Sequence, residues 1–105
     1  MRVLLQRVLQ AQVDIVPPEK TRALTSASER YTSGSIGKGL LLFVGFSKED
    51  SAEKLLPMRD KLLGLRIFPN EEGKFDRSVS DIEGGEILIV SQFTLYGDCR
   101  KGRRP

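Results

Sequence analysis

Patterning along the chain predicts a β-rich α+β fold with one main helix, over about residues 50–64, in a single domain spanning 1–105. Three observations carry this: a long period-two stretch at the start, an uninterrupted apolar run in the middle, and one interval where apolar residues recur every three or four positions. With 105 residues, 39% hydrophobic and 30% charged, the chain fits one globular domain. A domain of this size buries only roughly two-thirds of its unfolded surface, so every core element counts. No repeat, low-complexity tract or linker interrupts it.

Residues 2–16 read as one strand. Val3, Leu5, Leu9, Ala11, Val13 and Ile15 lie on the apolar side, and Arg2, Gln6, Gln10, Gln12 and Asp14 mark the wet side. Arg7 falls on the apolar side. Its guanidinium cannot shed its charge and needs acceptors, either a carboxylate that simply ties two elements together or backbone carbonyls at a site. Pro17 and Pro18 end this strand. The stretch 21–35 holds seven serines and threonines, so 17–35 reads as a loop or hairpin insertion.

In SIGKGLLLFVGF, Gly37 and Gly39 bracket a turn, and the apolar run suits a strand buried on both faces. The segment lacks the full phosphate-loop spacing. Asp50 and Glu53 make a capped helix start, and Leu55, Met58, Leu62 and Leu65 form one stripe that predicts packing on the core. Pro57 sits inside that span, which predicts a late start or a bend. Leu65–Phe68 reads as a short strand, and PNEEGK as a turn leading into a segment along an edge.

Gly84 and Gly85 introduce EILIVSQFTLYGDCRKGRRP. Ile87–Val90 is apolar on both faces, predicting a strand that enters the core. The strand changes character at Ser91, where Ser91, Gln92 and Thr94 emerge while Phe93 and Leu95 keep it anchored. Polar side chains at the end of a rigid strand floor a cleft, or simply mark where a sheet meets water.

The counts exclude much chemistry. The chain has no histidine and one cysteine, Cys99. A serine–histidine triad, a cysteine–histidine pair, a histidine-based zinc site and an internal disulfide are all impossible. No metal-ligand set and no cofactor are expected, and lone Cys99 reads as a small filler residue. The cysteine usage fits a reducing, cytoplasmic compartment. The N-terminal stretch is too interrupted for a signal peptide, and the longest apolar run is too short to cross a bilayer, so no membrane role is expected.

The net charge of +3 is unevenly placed: residues 1–97 carry 13 charges of each sign, and the whole excess sits in DCRKGRRP. Arg100, Lys101, Arg103 and Arg104 there either bind phosphates by displacing counterions or form a solvated tail.

Taken in order, RVLLQRV, IGKGLLLFVG, LRIF and above all SQFTLYGDCRKGRRP resemble the D-aminoacyl-tRNA deacylases, also called D-tyrosyl-tRNA deacylases. The resemblance runs over Met1–Ile15 and Ile36–Pro105. It implies a β-rich barrel or sheet, a homodimer with its active site at the interface, and hydrolysis of the ester joining a D-amino acid to the terminal adenosine of tRNA. By position, Ser91, Gln92, Phe93 and Thr94 match the catalytic motif. Leu95 lines the pocket with them, and Phe93 stacks near the terminal adenine. Arg7 matches the arginine that braces the family's second motif, and Arg100, Lys101, Arg103 and Arg104 lie where acceptor-stem phosphates are met.

Ester hydrolysis without histidine remains feasible, because backbone N–H groups can hold the oxyanion. Ser91 and Thr94 have no evident base, so attack by water, with the substrate's ribose 2′-hydroxyl assisting, is the expected route. The family's second motif, NxGPxT, has no counterpart: none of the five prolines follows a glycine. The chain therefore reads as lacking the family's C-terminal part. The competing expectations are a catalytically inactive RNA-binding module, or a partial fold completed by dimerisation.

Overall fold

A computed structural model describes residues 1–17 and 31–104. In chain order the elements are β1 (Arg2–Val8), β2 (Ala11–Ile15), β3 (Tyr31–Ile36), β4 (Gly39–Gly45), α1 (Ala52–Gly64), β5 (Phe68–Pro69), β6 (Phe75–Arg77) and β7 (Glu86–Ser91). A 3-10 turn over Phe93–Tyr96 follows β7. The fold is α+β, with one helix and three separate sheets ordered β1-β4-β7, β2-β3 and β5-β6. No closed barrel forms among the described residues.

The apolar run of β4 becomes the central strand. It pairs antiparallel with β1, from Arg2 opposite Gly45 to Val8 opposite Gly39, and parallel with β7, from Gly39 opposite Glu86 to Val44 opposite Ser91. Leu40, Leu42 and Val44 point into a core completed by Phe68 and Val79, and Leu40 is wholly buried. A strand flanked on both sides has no wet edge, which is why this segment carries no polar side chain. The parallel pairing of β4 with β7 requires a crossover, supplied by α1, β5 and β6.

The opening stretch is two strands rather than one. β1 joins the central sheet and β2 pairs with β3, so the chain changes sheets at Leu9 and Gln10. Leu9 is left 83% exposed. The alternation also slips: Val3 and Leu5 are half-buried, Gln6 and Arg7 are both exposed, and Val8 takes the inward place. Arg7 is therefore not on the buried face. Its guanidinium lies over the Phe75 ring, 4.7 Å from the centroid.

Of the segment read as a loop or hairpin insertion, Tyr31–Ser35 belongs to β3, and residues 18–30 lie outside the described residues.

The helix starts at Ala52, not late, and runs through Pro57. Asp50 does not cap it: Ser51 occupies the cap position without a side-chain bond, and its carbonyl accepts the N–H groups of Lys54 and Leu55. The Asp50 carboxylate instead accepts the Ser47 N–H at 2.7 Å and the Met1 α-amine at 2.6 Å. The predicted core stripe is incompletely covered, since no α1 residue is fully buried. Between α1 and the sheet lies an apolar groove of about 260 Å³, lined by Leu55, Met58 and Leu62 on one side and Val3, Val44 and Ile89 on the other.

Of the predicted 65–68 strand only Phe68 lies in β5, which pairs with β6 across the PNEEGK turn. Asn70 builds that turn: its side-chain oxygen accepts the Glu72 and Lys74 N–H groups, and Gly73 takes φ +78°. β7 is an edge strand, not a doubly buried one. Its second edge has no strand neighbour among the described residues, and Ile89 is 65% exposed.

Candidate functional site

β7 delivers the SQFTL segment to the end of the central sheet. Ser91 is the last strand residue, opposite Val44, and the Gln92 N–H still bonds to the Val44 carbonyl at 2.8 Å. The backbone then tightens. The Leu95 N–H reaches the Gln92 carbonyl at 3.4 Å, and the Gly97 N–H reaches the Thr94 carbonyl at 2.9 Å. These short-range bonds make a 3-10 turn where continued strand was predicted.

The turn keeps half of the expected anchoring. Leu95 is half-buried, together with Tyr96, but Phe93 is 82% exposed and holds nothing. The turn can sit close because Gly45 ends β4: a Cβ there would meet the Gln92 carbonyl oxygen at 3.0 Å and Leu95 Cβ at 3.2 Å. Arg2, across the sheet on β1, donates from Nη1 to the Leu95 carbonyl at 3.0 Å and lies over the Tyr96 ring at 4.5 Å. Sequence reasoning placed Arg2 only on the wet face and missed this role. Its signal, a cation opposite an aromatic, exists only once the register of β1 with β4 is known.

Ser91, Phe93 and Thr94 are thus gathered as an exposed apron at the sheet end, with half-buried Gln92 beneath. Among the described residues, the Ser91 and Thr94 hydroxyls have no carboxylate or cationic partner. Such hydroxyls are weak nucleophiles at neutral pH. What the turn offers an ester is therefore an aromatic face and backbone donors.

The basic segment follows directly. Arg100 is engaged within it, bonding both Asp98 oxygens at 2.6–3.0 Å. These bonds hold the Asp98 carboxyl below its ordinary range and push the Arg100 guanidinium further up. Lys101, Arg103 and Arg104 are exposed and, among the described residues, form no ion pair. Three of the four predicted phosphate contacts are therefore available, while the Arg100 charge is internally compensated.

Arg7 is not brought to this apron within one chain. It lies near the opposite end of β1 from Arg2, five residues or roughly 17 Å away along the strand. It lines a separate concavity with Lys38, Phe68 and Pro69. No helix among the described residues is long and apolar enough to cross a membrane.

Comparison with known proteins agrees with the motif reading. D-aminoacyl-tRNA deacylases of Clostridium kluyveri and Clostridium botulinum are 48% and 47% identical over 105 residues. Each match covers 100% of this chain, which spans 61% of the relative's length. A solved structure, the c-Myc DNA unwinding element binding protein, superimposes with a TM-score of 0.76 at 36% identity. It too is covered over 61% of its chain. Residues 4–105 match the D-Tyr-tRNA(Tyr) deacylase family, to which this chain belongs.

Proposed function

We propose that this chain hydrolyses the ester bond between a D-amino acid and the terminal adenosine of tRNA, releasing the free amino acid. The observation that carries the reading is the SQFTLYGDCRKGRRP segment, folded as an aromatic-bearing turn and continued by Lys101, Arg103 and Arg104, which form no ion pair among the described residues. In this account Phe93 stacks on the terminal adenine and Leu95 supports the pocket floor. Backbone N–H groups flanking Gln92, whose own N–H is taken by the Val44 carbonyl, stabilise the oxyanion, and water attacks with help from the ribose 2′-hydroxyl. Gln92 and Thr94 orient the ester. Lys101, Arg103 and Arg104 meet acceptor-stem phosphates, and Arg100 joins them only by releasing Asp98. The setting is cytoplasmic.

The enzyme acts as a homodimer in this reading. Support comes from the groove beneath α1 and from the open edge of β7: Phe46 and Ile89, each more than half exposed, leave an apolar surface that invites cover. A two-fold partner also offers a route by which Arg7 reaches an apron its own chain does not bring near. Sizing at several concentrations tests this, with a monomer throughout counting against it.

The activity is tested by incubating D- and L-aminoacyl-tRNA with the folded chain. Release of the D-amino acid supports the proposal. Negligible release from both, alongside steeply salt-dependent tRNA binding, would leave the inactive RNA-binding module as the surviving reading.

A further inference from the structure

The residues that hold the 92–96 turn lie at the other end of the chain. Arg2 makes two different contacts with it, a hydrogen bond to the Leu95 carbonyl at 3.0 Å and a stack on Tyr96 at 4.5 Å. Next to it, the Met1 α-amine is fixed at 2.6 Å on Asp50, so the first two residues cannot slide along the sheet. Gly45, the residue paired with Arg2 in the sheet, allows the turn to seat within 3.0–3.3 Å of where a side chain would stand. The turn itself has only the Leu95-to-Gln92 and Gly97-to-Thr94 backbone bonds, and the first of these is long at 3.4 Å. An isolated single turn of this kind is marginal. Its external contacts therefore decide where Phe93 stands.

We propose that Arg2 is a positioning residue: its planar guanidinium, bonded to the Leu95 carbonyl and stacked on Tyr96, fixes the turn so that Phe93 is presented to the 3′ end of an RNA. The proposal deepens the reading above and rests on it for the identity of the RNA. The fork geometry matters as well as the charge, because a lysine ammonium can replace the hydrogen bond but does not reproduce the planar stack. In this proposal Arg2 acts through these protein contacts and not through a phosphate, which the salt slope below distinguishes.

The test uses the full 105-residue chain with Arg2→Lys, Arg2→Met and Phe93→Ala. The probe is a non-aminoacylated acceptor-stem RNA ending in CCA. Two quantities are read: the salt dependence of its affinity, and the backbone amide shifts of residues 92–97 in the free protein. Arg2→Met is expected to move those amide shifts and weaken binding by about fivefold or more, bounded by the loss in Phe93→Ala, with the salt slope unchanged. Arg2→Lys is expected to recover only part of the affinity. Full recovery by lysine, or a salt slope that falls by about one in Arg2→Met, overturns the proposal by showing a simple charge contact. Unmoved amide shifts overturn it directly. If the wild type binds no such RNA, presentation by Arg2 is overturned as well. If it binds the RNA but cleaves no ester, the hydrolase reading falls while these measurements still decide Arg2.

Discussion

The Met1 α-amine and the Asp50 carboxylate form a 2.6 Å ion pair with both groups largely shielded, pinning the first residue of the chain to the loop before α1. The Asp50 hydrogen bond, with help from Tyr96, raises the amine above its ordinary value of 8.0. The amine and the Ser47 N–H hold Asp50 below its ordinary 3.8. Stability from the raised amine is fully present below about pH 8 and is lost as pH rises through the raised value. Stability from the depressed carboxylate is present above about pH 4 and is lost as pH falls through the lowered one. The melting temperature is therefore expected to hold a plateau between these limits and decline on both sides. Asp50→Asn lowers the plateau and removes the alkaline decline assigned to this pair; an unchanged alkaline limb contradicts the assignment.

Gly39 has no room for a side chain. A Cβ built there runs into the backbone of Glu86, the residue opposite it in the parallel pairing of β4 with β7. Gly39→Ala is expected to destabilise the fold by about 3 kcal/mol or more, because the obstacle is backbone and not a side chain that can turn away. Gly64→Ala, which meets nothing within 4 Å, serves as the control and is neutral or slightly stabilising. Denaturant unfolding of the two variants measures the difference.

Much of this fold was legible in the sequence, and the misses share one cause. The unbroken apolar run of β4, the helix ending at Gly64 and the Asn70–Gly73 turn follow from local pattern, which the tertiary structure did not override. Arg7 was misplaced because a pattern read at fixed period cannot show a strand leaving one sheet for another. The slip between Leu5 and Val8 is the backbone preparing for that change. Asp50 was read as a cap because Asp before a helix usually is one, and nothing local reveals that the chain terminus arrives to claim it. Ile87–Val90 was read as doubly buried because apolarity marks surface to be covered without saying whether the cover is present. The SQFTL segment was found by resemblance, while the residues that seat it, Arg2, Gly45 and Tyr96, required the sheet register.

Because Phe93 is 82% exposed, its removal leaves packing untouched. Phe93→Ala is expected to retain the wild-type melting temperature while weakening acceptor-end RNA binding by about 1–3 kcal/mol, the usual worth of one stacked base. Calorimetry on the two proteins separates these effects; a large loss of stability contradicts the exposed placement.

Lys101, Arg103 and Arg104, which form no ion pair among the described residues, should behave differently from Arg100, which is paired with Asp98. Lys101→Ala and Arg103→Ala are each expected to reduce the salt slope of tRNA binding by about one, without altering unfolding. Arg100→Ala is expected to change the slope less, because Asp98 already neutralises that side chain. Equal slopes for all three variants would contradict the pairing.

In the proposed reaction water attacks the ester, the backbone of the turn after β7 holds the oxyanion and the substrate's ribose hydroxyl assists, with no side-chain nucleophile. Single-turnover release of D-tyrosine from D-tyrosyl-tRNA by Ser91→Ala and Thr94→Val tests it most directly. Both variants are expected to stay within about tenfold of wild type, whereas loss of an essential nucleophile removes several orders of magnitude. A drop of that size in either variant, with folding intact, contradicts it.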